Sequence, residues 1–236
     1  YYASVRIGAI ITGCNPLFKP PEILHQLQLT KAKALFVLDV LFAPSVEPIL
    51  EATSIRHVIS TNIADLLSLP KVFKVIGKMI RKIPATQVNN PCACALLDLL
   101  KKDLRPQDVK VSSGDVAAYL MTGGTTGVPK AAILTHFNIV SNAIQGRLWL
   151  WNVKREAACL GVLPLFHSFA MTCAMNISVL MGWKMILFAK PPDPGDLLDV
   201  ITKTSPKEGI FYPAAEAFFK TMAESPKIRD HDLGKK

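Results

Sequence analysis

The chain has 236 residues, half of them hydrophobic and 19 % charged, with a formal net charge of +9. This composition excludes a disordered chain, and the length allows a sizeable core in one large domain or two small ones. Five cysteines (Cys14, Cys92, Cys94, Cys159 and Cys173) follow no zinc or disulfide framework, which implies reduced thiols in a cytoplasmic protein.

Taken in chain order, short apolar runs alternate with helical patterns. The chain opens at Tyr1 inside an apparent helix, with no signal peptide or basic leader. Strands are predicted over residues 9–12, 34–40, 57–60, 116–121, 131–134, 158–163, 185–188 and 209–212. Helices are predicted over 21–30, 44–52, 137–150, 169–181, 194–204 and 214–223, the third capped near Thr135. Strands that are almost continuously apolar, alternating with helices, predict an α/β fold with mostly parallel sheets layered with helices. There is no internal repeat.

Two segments invite a membrane reading. Residues 157–183 carry no Asp, Glu, Lys or Arg, and about 20 apolar residues suffice to span a bilayer. Pro164, His167, Ser168, Asn176 and two glycines interrupt that run, so a buried strand, a pocket-lining turn and a buried helix are expected instead. The second segment is residues 70–84. Lys71, Lys74, Lys78, Arg81 and Lys82 recur there at helical intervals, interleaved with Phe73, Val75, Ile76, Met79, Ile80 and Ile83. Pro70 and Pro84 bracket it. This predicts a basic amphipathic helix. One reading is peripheral attachment to an anionic membrane surface, at its inner face. The plainer reading, which takes precedence, is a solvated helix face packed on its own domain. Nucleic-acid binding has a basic charge in its favour but no fold motif or aromatic platform, and is not expected.

The most informative run is Thr122-Gly123-Gly124-Thr125-Thr126-Gly127-Val128-Pro129-Lys130. Glycine admits close approach of a ligand to the backbone, threonine adds hydroxyl donors, and lysine adds a positive charge. Together these form a donor set suited to a polyphosphate. Neither G-x-G-x-x-G nor G-x-x-x-x-G-K-[ST] fits. The apolar runs on both sides predict a loop joining two strands, so hydroxyls, amides and Lys130 would hold the anion, with little help from a helix dipole.

With Ala131-Ala132-Ile133-Leu134-Thr135-His136 and Asn138 following it, this run resembles the phosphate-loop signature of the adenylate-forming enzymes. Those are the acyl-CoA synthetases, luciferases and peptide-synthetase adenylation domains. Gly123 stands where the family often has Ser, and Ala131 where Gly is usual. Leu163-Pro164-Leu165-Phe166-His167-Ser168-Phe169 resembles the family's P-[LM]-[FY]-H box, in which an aromatic or His wall borders the substrate carboxyl and acyl chain. The likeness runs nearly the length of the chain and is weakest over residues 62–112. Among its branches the chain most resembles the bacterial-type long-chain fatty-acid–CoA ligases.

The resemblance implies ATP-dependent activation of a carboxylic acid through an acyl-adenylate, then transfer to coenzyme A, with Mg²⁺. It implies Lys130 and His167 in catalysis, with His167 positioning rather than moving a proton. Phosphate binding falls to Thr122, Gly123, Gly124, Thr125, Thr126, Gly127 and Lys130, and the acid pocket to Phe166, His167 and Ser168. No residue is assigned as a metal ligand. The family's adenine, ribose and metal segments and its small C-terminal domain would follow Lys236, so residues 1–236 are expected to be part of the large N-terminal domain and inactive alone. Three alternatives stay open: a ligase for another acid, a nucleotide-binding module without turnover, and a membrane-surface scaffold.

Overall fold

The computed structural model describes the chain except residues 69, 81, 124–126, 128, 151, 154–155, 189, 205–208 and 232–236. It divides into two units. One holds residues 1–8, 14–110 and 121–131; the other holds 9–13, 111–120 and 132–236.

The first unit begins with α1 (Tyr2–Arg6) and α2 (Pro20–Thr30). The start of α2 follows from its sequence: prolines occupy its first positions, and the Glu22 carboxylate accepts the Lys19 amide at 2.9 Å. Ile23 and Leu27, four residues apart, place one face of α2 in a core with Ile49. The sheet of this unit is built from β2 (Ala34–Leu38), β3 (His57–Thr61) and β4 (Ala93–Ala95), in that order and parallel throughout. Phe42, Val46 and Val58 form a second apolar cluster.

Three expectations for this unit need correction. The strand predicted over 34–40 stops at Leu38, where α3 (Asp39–Leu41) begins. The helix predicted over 44–52 is a π-helical turn (Phe42–Val46) followed by a 3₁₀ helix (Glu47–Ala52). Pro44 and Pro48 are the physical reason, because each removes an amide donor from an α-helical ladder. The basic helix predicted over 70–84 is shorter: α4 spans Lys71–Met79. Past it the chain folds back, the Ile83 amide donating to the Gly77 carbonyl at 2.9 Å. Sequence reasoning also missed β4 and α5 (Leu96–Leu100).

The second unit carries β1 (Ile11–Thr12), which pairs parallel with β5 (Val116–Thr122): Ile11 faces Ala118 and Thr12 faces Tyr119. Next to β5 lies β6 (Lys130–Thr135). The connection between them is too short for a parallel crossover, so the pair is a hairpin. The next element, α6 (His136–Trp149), starts at a reciprocal cap. The Asn138 amide donates to the Thr135 hydroxyl at 3.2 Å, and the Asn138 side chain accepts the Thr135 amide at 3.0 Å.

A second parallel sheet follows, of β8 (Lys184–Leu187), β7 (Ala158–Gly161) and β9 (Ile210–Phe211). Every residue of β7 is buried, as expected of a central parallel strand. The run 157–183 is therefore that strand, a turn and a helical stretch. The stretch is not a uniform α-helix: α7 (Ser168–Ala170) passes through a π-helical segment (Met171–Asn176) into α8 (Ile177–Met181). Gly182, at φ +71°, ends it, and the Trp183 amide closes back on the Ser178 carbonyl at 2.8 Å. Among the described residues no helix is long and apolar enough to cross a membrane. The remaining helices are α9 (Pro194–Thr204), where residues 194–204 were predicted, and α10 (Glu216–Ala223). Leu160, Leu197 and Leu198 lie at the centre of the main core of this unit.

Leu198 is fully buried, and Leu198→Ala should cost about 2–5 kcal/mol by leaving a cavity. Urea unfolding of the full-length protein, followed by tryptophan fluorescence, measures this.

Candidate active site

The hairpin places the first sequence-predicted group at the mouth of a turn. Thr122 ends β5 and Lys130 begins β6, and the Thr122 hydroxyl donates to the Lys130 carbonyl at 3.1 Å. One residue earlier, the Pro129 carbonyl accepts from His25 Nε2 at 3.0 Å. His25 sits on α2 and had no part in the sequence reading. Nothing within the loop motif points to it, since the contact joins residues far apart in the chain.

Thr122, Gly123, Gly127, Pro129 and Lys130 are all exposed. Among the described residues, a methyl group built at Gly123 or Gly127 meets nothing within 4 Å. Packing against the described residues therefore does not explain these two glycines. The Lys130 ammonium has no ion-pair partner among the described residues. Gly124, Thr125 and Thr126 lie outside the described residues.

The N-terminus of α6 does not serve as a second anion site. Its first amides are already taken: His136 donates to the Asp115 carbonyl at 3.0 Å, Phe137 to the Ser113 carbonyl at 2.8 Å, and Asn138 to the Thr135 hydroxyl. An anion at this end of the hairpin would thus look to the loop and to Lys130 for donors.

The second group is the Phe166-His167-Ser168 turn. His167 caps α7, and its Nδ1 accepts the Phe169 amide at 3.3 Å. With Nδ1 accepting, Nε2 is the ring nitrogen left to offer a donor. The backbone is fixed as well: the His167 amide donates to the Pro164 carbonyl at 3.0 Å, and the Met171 amide to the His167 carbonyl at 2.9 Å. The ring itself is exposed. Such a histidine is built to present one N–H donor in a set direction.

Phe166 is held by close packing. A methyl group at Gly13 would lie 2.8 Å from the Phe166 Cβ and 2.9 Å from its Cα. Gly13 follows β1 directly and is the second residue that sequence reasoning missed; a bare glycine among other turn residues gave no signal. Ser168 borders a different feature, a groove of about 510 Å³ whose lining includes Asn142, Gln145, Trp149, Phe169 and Ile177. The Thr172 hydroxyl donates to the Asn142 side chain at 3.0 Å at the same groove. Phe166 and His167 are not part of its described lining.

Three of the five cysteines, Cys14, Cys159 and Cys173, do not compete as nucleophiles. All five are free thiols. Burial pushes Cys14 up to about 11 and also raises Cys159 and Cys173, so these stay protonated at neutral pH. Among the described residues there is no group of three or more His, Cys, Asp or Glu that could hold a metal ion.

Parallel sheets layered with helices in this arrangement are the fold of the acyl-CoA synthetases and other adenylate-forming enzymes. The chain belongs to the AMP-binding enzyme family, whose model matches residues 1–235. It is 30 % identical over 237 residues to a long-chain-fatty-acid–CoA ligase of Bacillus subtilis, covering 99 % of this chain and 41 % of that protein. To the long-chain-fatty-acid–CoA ligase of Yersinia pestis it is 36 % identical over 199 residues, 81 % of this chain and 35 % of that one. Among solved structures, a long-chain-fatty-acid–CoA ligase of Archaeoglobus fulgidus superposes with a TM-score of 0.74 at 26 % identity, covering 97 % of this chain and 39 % of that one. The chain thus spans about two fifths of the length of these relatives.

Gly13→Ala should destabilise the protein by about 1–3 kcal/mol, because the new methyl meets backbone rather than a flexible side-chain end. Thermal unfolding measures the loss, and a crystal structure of the variant should show the Phe166–His167 turn displaced.

Proposed function

We propose that residues 1–236 are part of the large N-terminal domain of an acid–CoA ligase that activates a long-chain fatty acid with ATP. In this reading the chain grips the phosphate end of the nucleotide and supplies one wall of the acid pocket. The observation that carries it is the Thr122–Lys130 run at the turn of a hairpin, with its described glycines bordering open space and the Lys130 charge unpaired among the described residues.

The chemistry has two steps. A carboxylate oxygen attacks the α-phosphorus of ATP, the bond to the bridging oxygen breaks, and pyrophosphate leaves with the electron pair. Coenzyme A then gives up its thiol proton to solvent, the sulfur attacks the acyl carbon, and the acyl carbon–oxygen bond breaks as AMP leaves with the electron pair. The first step brings two anions together, so it needs fixed donors and in-line positioning more than it needs a strong base. Thr125 and Thr126 donate to β- and γ-phosphate oxygens, while the Thr122 hydroxyl, expected from the sequence to do the same, holds the two ends of the loop together through the Lys130 carbonyl. Gly123, Gly124 and Gly127 let the backbone amides come close. Lys130 offsets the charge that develops on pyrophosphate. The Nε2 hydrogen of His167 contacts the acid, with Phe166 and Ser168 beside it, and no proton leaves the ring.

Magnesium accompanies nucleotide phosphates and usually takes one or two carboxylates besides. The described part of this hairpin offers hydroxyl, amide and ammonium groups but no carboxylate. Any carboxylates that hold magnesium would therefore lie outside this hairpin, in line with a metal segment after Lys236, and the hairpin's threonine hydroxyls could add a ligand. The partners in this reading are the fatty acid, ATP and coenzyme A, together with a membrane surface at which so apolar an acid gathers.

In the full-length protein, Lys130→Ala should slow acid-dependent pyrophosphate exchange by tens- to hundreds-fold, the equivalent of about 1.5–3 kcal/mol for a charged hydrogen bond. Unchanged exchange would remove Lys130 from the mechanism. A screen of long-chain, short-chain and aromatic acids in the same assay tests the substrate class.

A further inference from the structure

Helix α2 meets the Thr122–Lys130 loop through His25. Ile23 and Leu27 turn toward the core with Ile49, and at 100° per residue His25 stands on the far side of the helix from both. Pro21, Glu22, Gln28 and Leu29 flank it there and are exposed, whereas His25 is partly buried. Core packing therefore does not account for this histidine. Its Nε2 lies 3.0 Å from the Pro129 carbonyl. A carbonyl oxygen only accepts, so the imidazole donates.

The helix that carries the imidazole is itself fixed at both ends. The Lys19 amide donates to the Glu22 carboxylate at its start. Near its end the Gln28 side chain donates to the Ala52 carbonyl at 3.0 Å, and Lys31 closes the last turn at φ 49°. A side chain on so constrained an element is placed more precisely than one on a loop.

What His25 fixes is the backbone of Lys130. The Pro129 carbonyl belongs to the peptide plane that ends at the Lys130 nitrogen. The next carbonyl, that of Lys130 itself, accepts the Thr122 hydroxyl at 3.1 Å. The peptide planes on both sides of the Lys130 Cα are thus held, one from α2 and one from β5, and the proline ring restricts the residue before it. With both planes set, so is the direction in which the lysine side chain leaves the backbone. Neither hydrogen bond uses the ammonium.

We propose that His25 is a positioning residue for the step that consumes ATP: its imidazole holds the peptide that carries Lys130, and with it the loop, in the form that receives a triphosphate. The inference rests on the reading of this loop as a phosphate grip and adds a residue from outside the motif. Without the donor the loop samples other forms, and the apparent affinity for a triphosphate falls with the fraction that stays receptive. The acid and AMP, which have no β- or γ-phosphate to be gripped, are bound as before.

In the full-length protein, His25→Leu should raise the KM for ATP in pyrophosphate exchange by about two- to tenfold, the range of a single hydrogen bond. The KM for the acid and the Kd of AMP, measured by calorimetry, should stay at the parent values. His25→Gln, whose side-chain amide also donates, should recover most of the loss. Without nucleotide, hydrogen exchange over residues 122–131 should be faster in His25→Leu than in the parent. The proposal is overturned if His25→Leu has the parent's KM for ATP, if His25→Gln does no better than His25→Leu, or if exchange over 122–131 is unchanged. It is also overturned if ATP, AMP and the acid all weaken together, because that is loss of fold and not of a loop anchor. If Lys130→Ala leaves ATP affinity intact while His25→Leu still speeds exchange, the phosphate reading fails and the anchoring of the loop stands.

Discussion

The hydrogen bond between the Thr122 hydroxyl and the Lys130 carbonyl closes the ends of the connection between β5 and β6, and what can happen at the turn depends on it. It joins the last residue of one strand to the first of the next. The contact uses backbone on the lysine side and leaves the ammonium out of it. At Pro129, which has no N–H to offer, His25 also takes a carbonyl. Both anchors therefore fall on backbone acceptors and leave the Lys130 ammonium out of them. Exposed hydrogen bonds of this kind contribute only about 0.5–1.5 kcal/mol each. That suffices to bias a short connection between strands already fixed by their sheet.

The same logic governs the start of α6. A free helix N-terminus directly after β6 would compete for an anion; here Ser113, Asp115 and Thr135 occupy its amides. Attraction is thus left to the loop and to Lys130. Elsewhere in the second unit the Phe166–His167 turn is fixed by different means. Steric closeness to Gly13 holds Phe166, and an N-cap holds the imidazole. Capping normally calls for a small oxygen-bearing side chain. Using histidine there settles which ring nitrogen is occupied, and so which one is offered outward.

Much of this was legible because the signals were local. The Thr135–Asn138 cap, the turn that Gly182 terminates, and the Thr122–Lys130 loop each depend on residues within a few positions of one another. What escaped depended on distance or on small side chains. Strand β4 has only Ala93, Cys94 and Ala95, without a β-branched residue, and exists because β3 offers a parallel edge at Val58, Ile59 and Ser60. His25 and Gly13 matter through contacts with residues remote in sequence. The 44–52 helix was misread for a local reason that the pattern hid: its apolar spacing is helical, but Pro44 and Pro48 cannot both join an α-helical ladder. Gly124, Thr125 and Thr126, central to the loop motif, lie outside the described residues, so their part rests on sequence.

Helix α4 marks a limit of periodicity itself. An amphipathic pattern establishes that a helix has two faces, and the usual assumption turns the apolar one inward. Here Gly77 decides otherwise. Lacking a side chain, it lets Ile83 settle on the helix backbone, and Lys74 fixes the same side to Asp65. The apolar residues are then left outside, where each exposed methylene forgoes about 0.8 kcal/mol of burial. A helix this short is marginal in water by itself, so contacts on its narrow inward side must hold it until something apolar covers the rest.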